Sequence, residues 1–200
     1  MSSMPICGGI AGGARMSADT DKQVLLLRGI NVGGRNIMPM ADLRAVLVGL
    51  GLGDVTTHIQ SGNAVFSGGG ALKDSDRRIA DALQDRFGFR PAVMVIGATA
   101  LARIAAENPY RAMGQARGSA VQIGFPMAPA LSPDTARMAQ IAAPDEVYHL
   151  TDRAFYLHAP SGIGRSKLVA NAERLLGVDV TMRNQGVVEA LNALARSDQC

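Results

Sequence analysis

Apolar positions set two rhythms along the chain. Val24 to Leu27 is an unbroken apolar run, as expected of a strand buried on both faces. A helix follows from about Pro39, since proline sits comfortably in a first turn. Leu43, Val46, Leu47 and Leu50 share one face of it, and Gly51 closes its end. Val55 to Gln60 and Ala64 to Ser67 read as strands around Ser61-Gly62-Asn63, where Gly62 and Asn63 both tolerate positive φ and a tight hairpin fits. Asp74 or Ser75 caps a second helix carrying Ile79, Leu83 and Phe87, which stops at Gly88 and Pro91. Ala92 to Ile96 is a fourth strand. The order is βαββαβ.

That order returns. A helical stretch from Thr99 to about Glu107 is halted by Asn108-Pro109, and Ala120 to Phe125 then reads as a strand. Ser132-Pro133 is a cap followed by a first-turn proline, as at Pro39. Val147 to Leu150 and Ala154 to His158 flank Thr151-Asp152-Arg153 as a second hairpin. Ser166 to Leu176 is a helix with Leu168, Ala172 and Leu175 on one side, ended by Gly177. Val178 to Met182 is the last strand, and a final helix carries Val187, Leu191 and Leu194. The pattern predicts an α+β chain built as a tandem duplication of a ferredoxin-like alpha-beta plait, each a four-stranded antiparallel sheet with two helices on one face. Residues 23–97 form the first plait, 98–117 a helical connector, and 118–200 the second plait with its C-terminal helix.

Composition trims this picture. The 200 residues are 48% hydrophobic with no tryptophan, so the core is built from Leu, Val, Ile, Ala and Met. Residues 1–22 read as a disordered Gly-, Ala- and Ser-rich lead-in, with Met16 an alternative start. That segment lacks the charged opening of a secretory signal. Apolar runs fall short of the ~18 residues of a membrane span. Cys7 and Cys200 lie near the two ends, with neither disulfide nor metal-ligand spacing, which fits a reducing, cytoplasmic setting. The net charge of +3 comes from arginines scattered among acids; lysine occurs only at Lys22, Lys73 and Lys167.

Five stretches in this order carry a resemblance: Leu25 to Asn36 (LLLRGINVGGRN), the hairpin IQSGNAVFSG, Glu107 to Tyr110 (ENPY), Gly164 to Leu168 (GRSKL) and Thr181 to Asn184 (TMRN). Together they resemble the bacterial domain-of-unknown-function family 1697, from about Val24 to Leu194. The resemblance implies two ferredoxin-like halves and carries no activity. One departure stands out. The resemblance implies that Arg-Asn near the C-terminus is usually followed by tryptophan, where this chain has Gln185-Gly186, which bears on affinity or specificity if that aromatic covers a ligand in relatives.

The opening loop has P-loop spacing from Gly29 to Gly34, but Arg35-Asn36 replaces Lys-Ser/Thr, and Pro39 biases Met38 away from helix. Topology says more than the motif. In a plait the end of strand one, the start of helix one and the hairpin share an edge. Arg28, Asn31, Gly33 and Gly34 are therefore expected beside Ser61, Gly62 and Asn63. Backbone N–H groups near a helix start favour anions, and glycine lets a ligand approach the main chain. The competing reading is that the glycines turn the chain while Asn31 and Asn63 satisfy loop backbone.

In the second half, Arg165, Ser166 and Lys167 are expected to meet Arg183 and Asn184, a set suited to phosphate or carboxylate. The alternative has Ser166 as a helix cap and Arg183 paired with Asp179 or Glu173. Catalytic patterns are thin. There is no G-x-S-x-G elbow; His58 and His149 fall within strands; His158, near Ser161, is the histidine to test. Asp145-Glu146, placed in a strand, would point to opposite faces. RNA-binding plaits stack bases on aromatics of the central strands; here only Phe66 and one of Phe155 and Tyr156 are candidates, which leaves nucleic acid only the arginines, for weak and salt-sensitive binding.

The leading expectation is a cytoplasmic protein binding a small anionic, phosphorylated or nucleotide-like ligand through Arg28, Asn31, Gly33, Gly34, Ser61 and Asn63, with Lys167, Arg183 and Asn184 as a second cluster. The alternatives are an enzyme using the same loops, with His158 or Lys167 moving protons, and an interaction module without ligand. No metal site and no particular cofactor are implied.

Overall fold

Both faces of the first strand are covered, as its unbroken apolar run requires. The computed structural model describes residues 22–68, 74–128 and 133–197. The lead-in with Cys7 and Met16, Lys73, the expected cap Ser132, and Cys200 lie outside them. β1 (Gln23–Arg28) is central in a sheet with β2 (Gly53–His58), β3 (Asn63–Ser67) and β4 (Ala92–Gly97), in the order β2-β3-β1-β4. Successive side chains of a strand alternate between faces. Leu25 and Leu27 therefore pack on α1 (Met40–Gly49) and α2 (Ser75–Phe87), through Leu43, Leu47, Ile79 and Leu83. Each such buried leucine contributes about 2 kcal/mol.

The second sheet contains β5 (Val121–Pro126), β6 (Val147–Leu150), β7 (Phe155–His158) and β8 (Val180–Asn184), in the equivalent order β6-β7-β5-β8. Its outer face packs on α5 (Thr135–Ile141) and α6 (Lys167–Leu176) through Met138, Leu168 and Leu175. All pairings in both sheets are antiparallel. The fold is mixed α+β, with two four-stranded sheets and helices arranged as two units.

Between the sheets lie α3 (Ala98–Ala106) and α7 (Gln185–Arg196), while the short α4 (Arg111–Ala116) leads into the second unit. One core joins Val24 and Leu26 of the first sheet to Ile123, Phe125 and Tyr156 of the second, through Leu101, Ile104, Val188 and Leu191. Tyr156 is fully buried and donates its hydroxyl to Ile104 O at 2.9 Å. Burial pushes that phenol up to about 12. With both sheet faces occupied, Phe66, Phe155 and Tyr156 are all buried.

Three local expectations are corrected. Asp134 caps α5, accepting from Arg137 N at 2.9 Å, so the helix starts two residues beyond Pro133. Asp74 takes the cap position of α2 in a left-handed conformation without a side-chain cap bond. Asp145 and Glu146 precede β6 and bond locally: Asp145 accepts from Ser161 Oγ at 2.6 Å and Glu146 from Ala143 N at 2.9 Å.

Candidate functional site

The opening loop is a closed knot of backbone bonds. Val32 to Arg35 is a tight turn, with Arg35 N donating to Val32 O at 3.0 Å and both central residues, Gly33 and Gly34, at positive φ (57° and 74°). Only glycine-like residues adopt that primed geometry cheaply. Asn31 donates to Met38 O (3.0 Å) and Gln60 O (2.8 Å) and accepts from Met38 N (2.8 Å). This carboxamide thus holds the loop and the hairpin side by side, at one edge as the topology required, and its hydrogen-bonding groups are engaged with backbone. Gly33 and Gly34 stand exposed at the tip. Arg28 pairs with Glu173 of α6 and lies 3.8 Å from Asp179. Those are the acids expected for Arg183.

Arg183 is instead the centre of a buried lock between the units. It is 8% exposed and uses all five guanidinium donors. Nε reaches Asn63 Oδ1 (2.5 Å); Nη2 reaches Leu27 O (2.6 Å) and Ser61 O (3.1 Å); Nη1 reaches Thr181 Oγ1 (3.0 Å) and Met182 O (2.8 Å). Asn63, fully buried, orients for this by donating to Ser61 Oγ (2.9 Å) and His58 O (3.2 Å). Gly62 closes the arrangement: at φ 73°, a Cβ there would sit 2.7 Å from Leu27 Cβ and from Ile30 Cδ1. Every partner of Arg183 is neutral, and desolvation lowers its pKa to about 10. The charge is buried without a carboxylate to offset it.

Beside this lock opens a cavity of about 420 Å³ between the first hairpin and the second sheet. Ser61 of the first expected set and Arg183 and Asn184 of the second line it, while Arg28, Asn31, Gly33, Gly34 and Asn63 do not. Asn184 also caps α7, accepting from Val187 N at 2.9 Å, which places that helix's N-terminal turn at the wall. Lys167 stays outside, exposed on the first turn of α6, and His158 is also off the wall. Ser166 caps α6 through Val169 N at 3.2 Å, as the plainer alternative held.

The cavity adds residues that the sequence reading missed. Arg117 donates to Pro160 O at 3.2 Å and has no acid partner among the described residues. Gln122 is 4% exposed, donates Nε2 to Ser119 O at 2.9 Å, and leaves its Oε1 without a partner among the described residues. Ser119, Ile163 and Met182 complete the wall near them. The signal for Gln122 was present, as a lone polar residue inside the apolar run from Ala120 to Phe125. Gln185 is 2% exposed and donates to Arg111 O (3.0 Å) and Glu189 Oε1 (2.9 Å). It ties α7 to α4 and lies off this cavity.

The described residues thus form a mixed α+β fold of two units, each with a four-stranded antiparallel sheet. A family model described as a protein of unknown function (DUF1697) matches residues 20–156, and the chain belongs to that family. The match takes in the opening loop and first hairpin; GRSKL and TMRN lie beyond it. In fold the chain is similar to a conserved bacterial protein of Streptococcus pneumoniae, with a TM-score of 0.60 at 24% identity, over 88% of this chain and 99% of that one. No curated protein matches significantly. Among the described residues no helix is long and apolar enough to cross a membrane, and no group of three or more His, Cys, Asp or Glu is placed to hold a metal ion.

Proposed function

We propose that the inter-unit cavity binds a small phosphorylated, hydroxyl-bearing metabolite, and that the chain is a duplicated plait whose halves, 23–97 and 118–200, meet to build it. The equivalent strand order of the two sheets supports the duplication. One observation carries the ligand class: every charged residue on the cavity wall is an arginine, Arg117 or Arg183, and none is an acid. Arg183 contributes field rather than donors, because its N–H groups are spent. Arg117 and the first turn of α7 supply the donors that an anion needs.

The volume falls within the ~300–1,000 Å³ range of small-molecule sites. Gln122 Oε1 is available to accept from a donor on the ligand, as a sugar hydroxyl provides. Ile59, Ile163, Met182 and Val187 give an apolar wall for the ligand's body. The test is a thermal-shift screen of nucleoside monophosphates and sugar phosphates beside their dephosphorylated counterparts. At one hundred times the dissociation constant, ligand stabilises by about 2.7 kcal/mol, a rise of roughly 5–10 °C for a chain of this size. No shift with any phosphorylated compound, or equal shifts with the dephosphorylated set, would defeat the reading.

A further inference from the structure

A second cavity, of about 250 Å³, lies between α3 and α7. We infer that it is a binding site for a small zwitterion of the α-amino-acid class. Its floor is cut low by Ala102, Ala105, Ala106 and Ala193, with Ile123 and Val188 at depth. A row of alanines alone is ordinary helix packing. Asn192 makes it more.

This carboxamide is 8% exposed and lines the cavity, yet has no hydrogen-bond partner among the described residues. Its polar atoms are not sealed in the protein but open to the cavity, where a carboxamide presents both donors and an acceptor to whatever fills the space. Gln185 on the same wall shows the contrast: it donates to Arg111 O and Glu189 Oε1 and accepts from Asn108 Nδ2 at 3.2 Å.

The rim sets the ligand's charge. Arg111 and Arg196 have exposed guanidinium groups with no acid partner among the described residues, suited to a carboxylate. Glu189 uses one oxygen for Gln185 and leaves Oε2 for an ammonium. Opposite charges around one small mouth favour a ligand carrying both. The volume lies below that of drug-sized sites, which limits the ligand to a few heavy atoms beyond the zwitterion. The site shares no wall residue with the arginine-lined cavity, so this inference stands apart from the proposed function.

The experiment is an NMR titration of the full chain with each free L-amino acid, repeated with its N-acetyl and C-terminal amide derivatives. The expected result is saturable shifts centred on α3 and α7 for at least one free amino acid, weakened roughly tenfold or more when either charge is masked. Asn192→Leu, with the same branching and side-chain heavy-atom count, abolishes the shifts; Arg111→Ala, on the exposed rim, weakens binding roughly tenfold and guards against a folding defect in the first variant. Absence of saturable binding up to the solubility limit, which leaves water as the occupant of Asn192, overturns the inference. Binding that survives both substitutions does so as well.

Discussion

Replacing Arg183 with methionine removes the inter-unit lock while keeping an unbranched apolar stem. Two terms oppose. Burial holds the guanidinium pKa well below its ordinary value, at about 10, which corresponds to roughly 3 kcal/mol of desolvation that the variant recovers. Against this, five hydrogen bonds from a charged donor are lost, at about 1.5 kcal/mol each, or roughly 7 kcal/mol together. The balance is a destabilisation of about 4 kcal/mol, because Leu27 O and Asn63 Oδ1 are left buried without their donor.

Urea unfolding followed by circular dichroism reads this as a lower midpoint at unchanged slope. Arg28→Met is the control. Its ion pairs are exposed, with side chains 36%, 42% and 63% accessible, so its cost is under about 1 kcal/mol. If Arg183→Met lies within about 1 kcal/mol of wild type, or Arg28→Met costs as much, the buried lock is not what joins the units.

Further consequences follow from the same contacts. Gly62→Ala forces a Cβ against Leu27 Cβ at a positive φ, and should lower stability by about 2 kcal/mol or more in the same assay; a neutral result would contradict the close approach. Tyr156→Phe loses the bond to Ile104 O, costing about 1 kcal/mol at neutral pH. The folded-state phenol titrates near 12, above its ordinary value near 10. Wild type therefore keeps this contribution below pH 10 and loses it as pH rises toward 12, so the wild-type advantage shrinks across that window; a constant difference would be the wrong outcome. Asn31→Leu frees the loop from Met38 and Gln60, with an expected cost of about 2 kcal/mol and no loss of phosphorylated-ligand affinity. A drop in affinity would return the opening loop to the binding site.

Much of the architecture was legible. Apolar runs located the strands, and Gly62-Asn63 marked the hairpin, because those signals are local. The topology also placed Asn31 beside the hairpin, as its bond to Gln60 O shows. The central layer was harder to read. The faces of the helices around Leu101 and Leu191 name an apolar stripe but not the sheet it meets. A clue did exist: Val24 to Leu27 is apolar at every position, and a plait with helices on one face alone leaves the second face needing cover.

The candidate site was legible only in part. Ser61, Arg183 and Asn184 come to one wall, but Asn31 and Asn63 bond within the protein, and Arg28 and Arg183 take partners other than those expected. Which arginine keeps free donors depends on contacts across 120 or more residues of chain, which no local pattern encodes. Arg117 could not be told from the other scattered arginines until the fold set it beside the cavity.

The most direct test is a calorimetric titration of a nucleoside or sugar monophosphate into the full chain and into Arg117→Gln, at about 50 mM and 200 mM salt. Wild type should show one saturable site, weakened roughly ten- to a hundredfold by the substitution, with salt weakening wild type more than the variant. Equal affinity in both proteins, or no measurable heat in either, would contradict it.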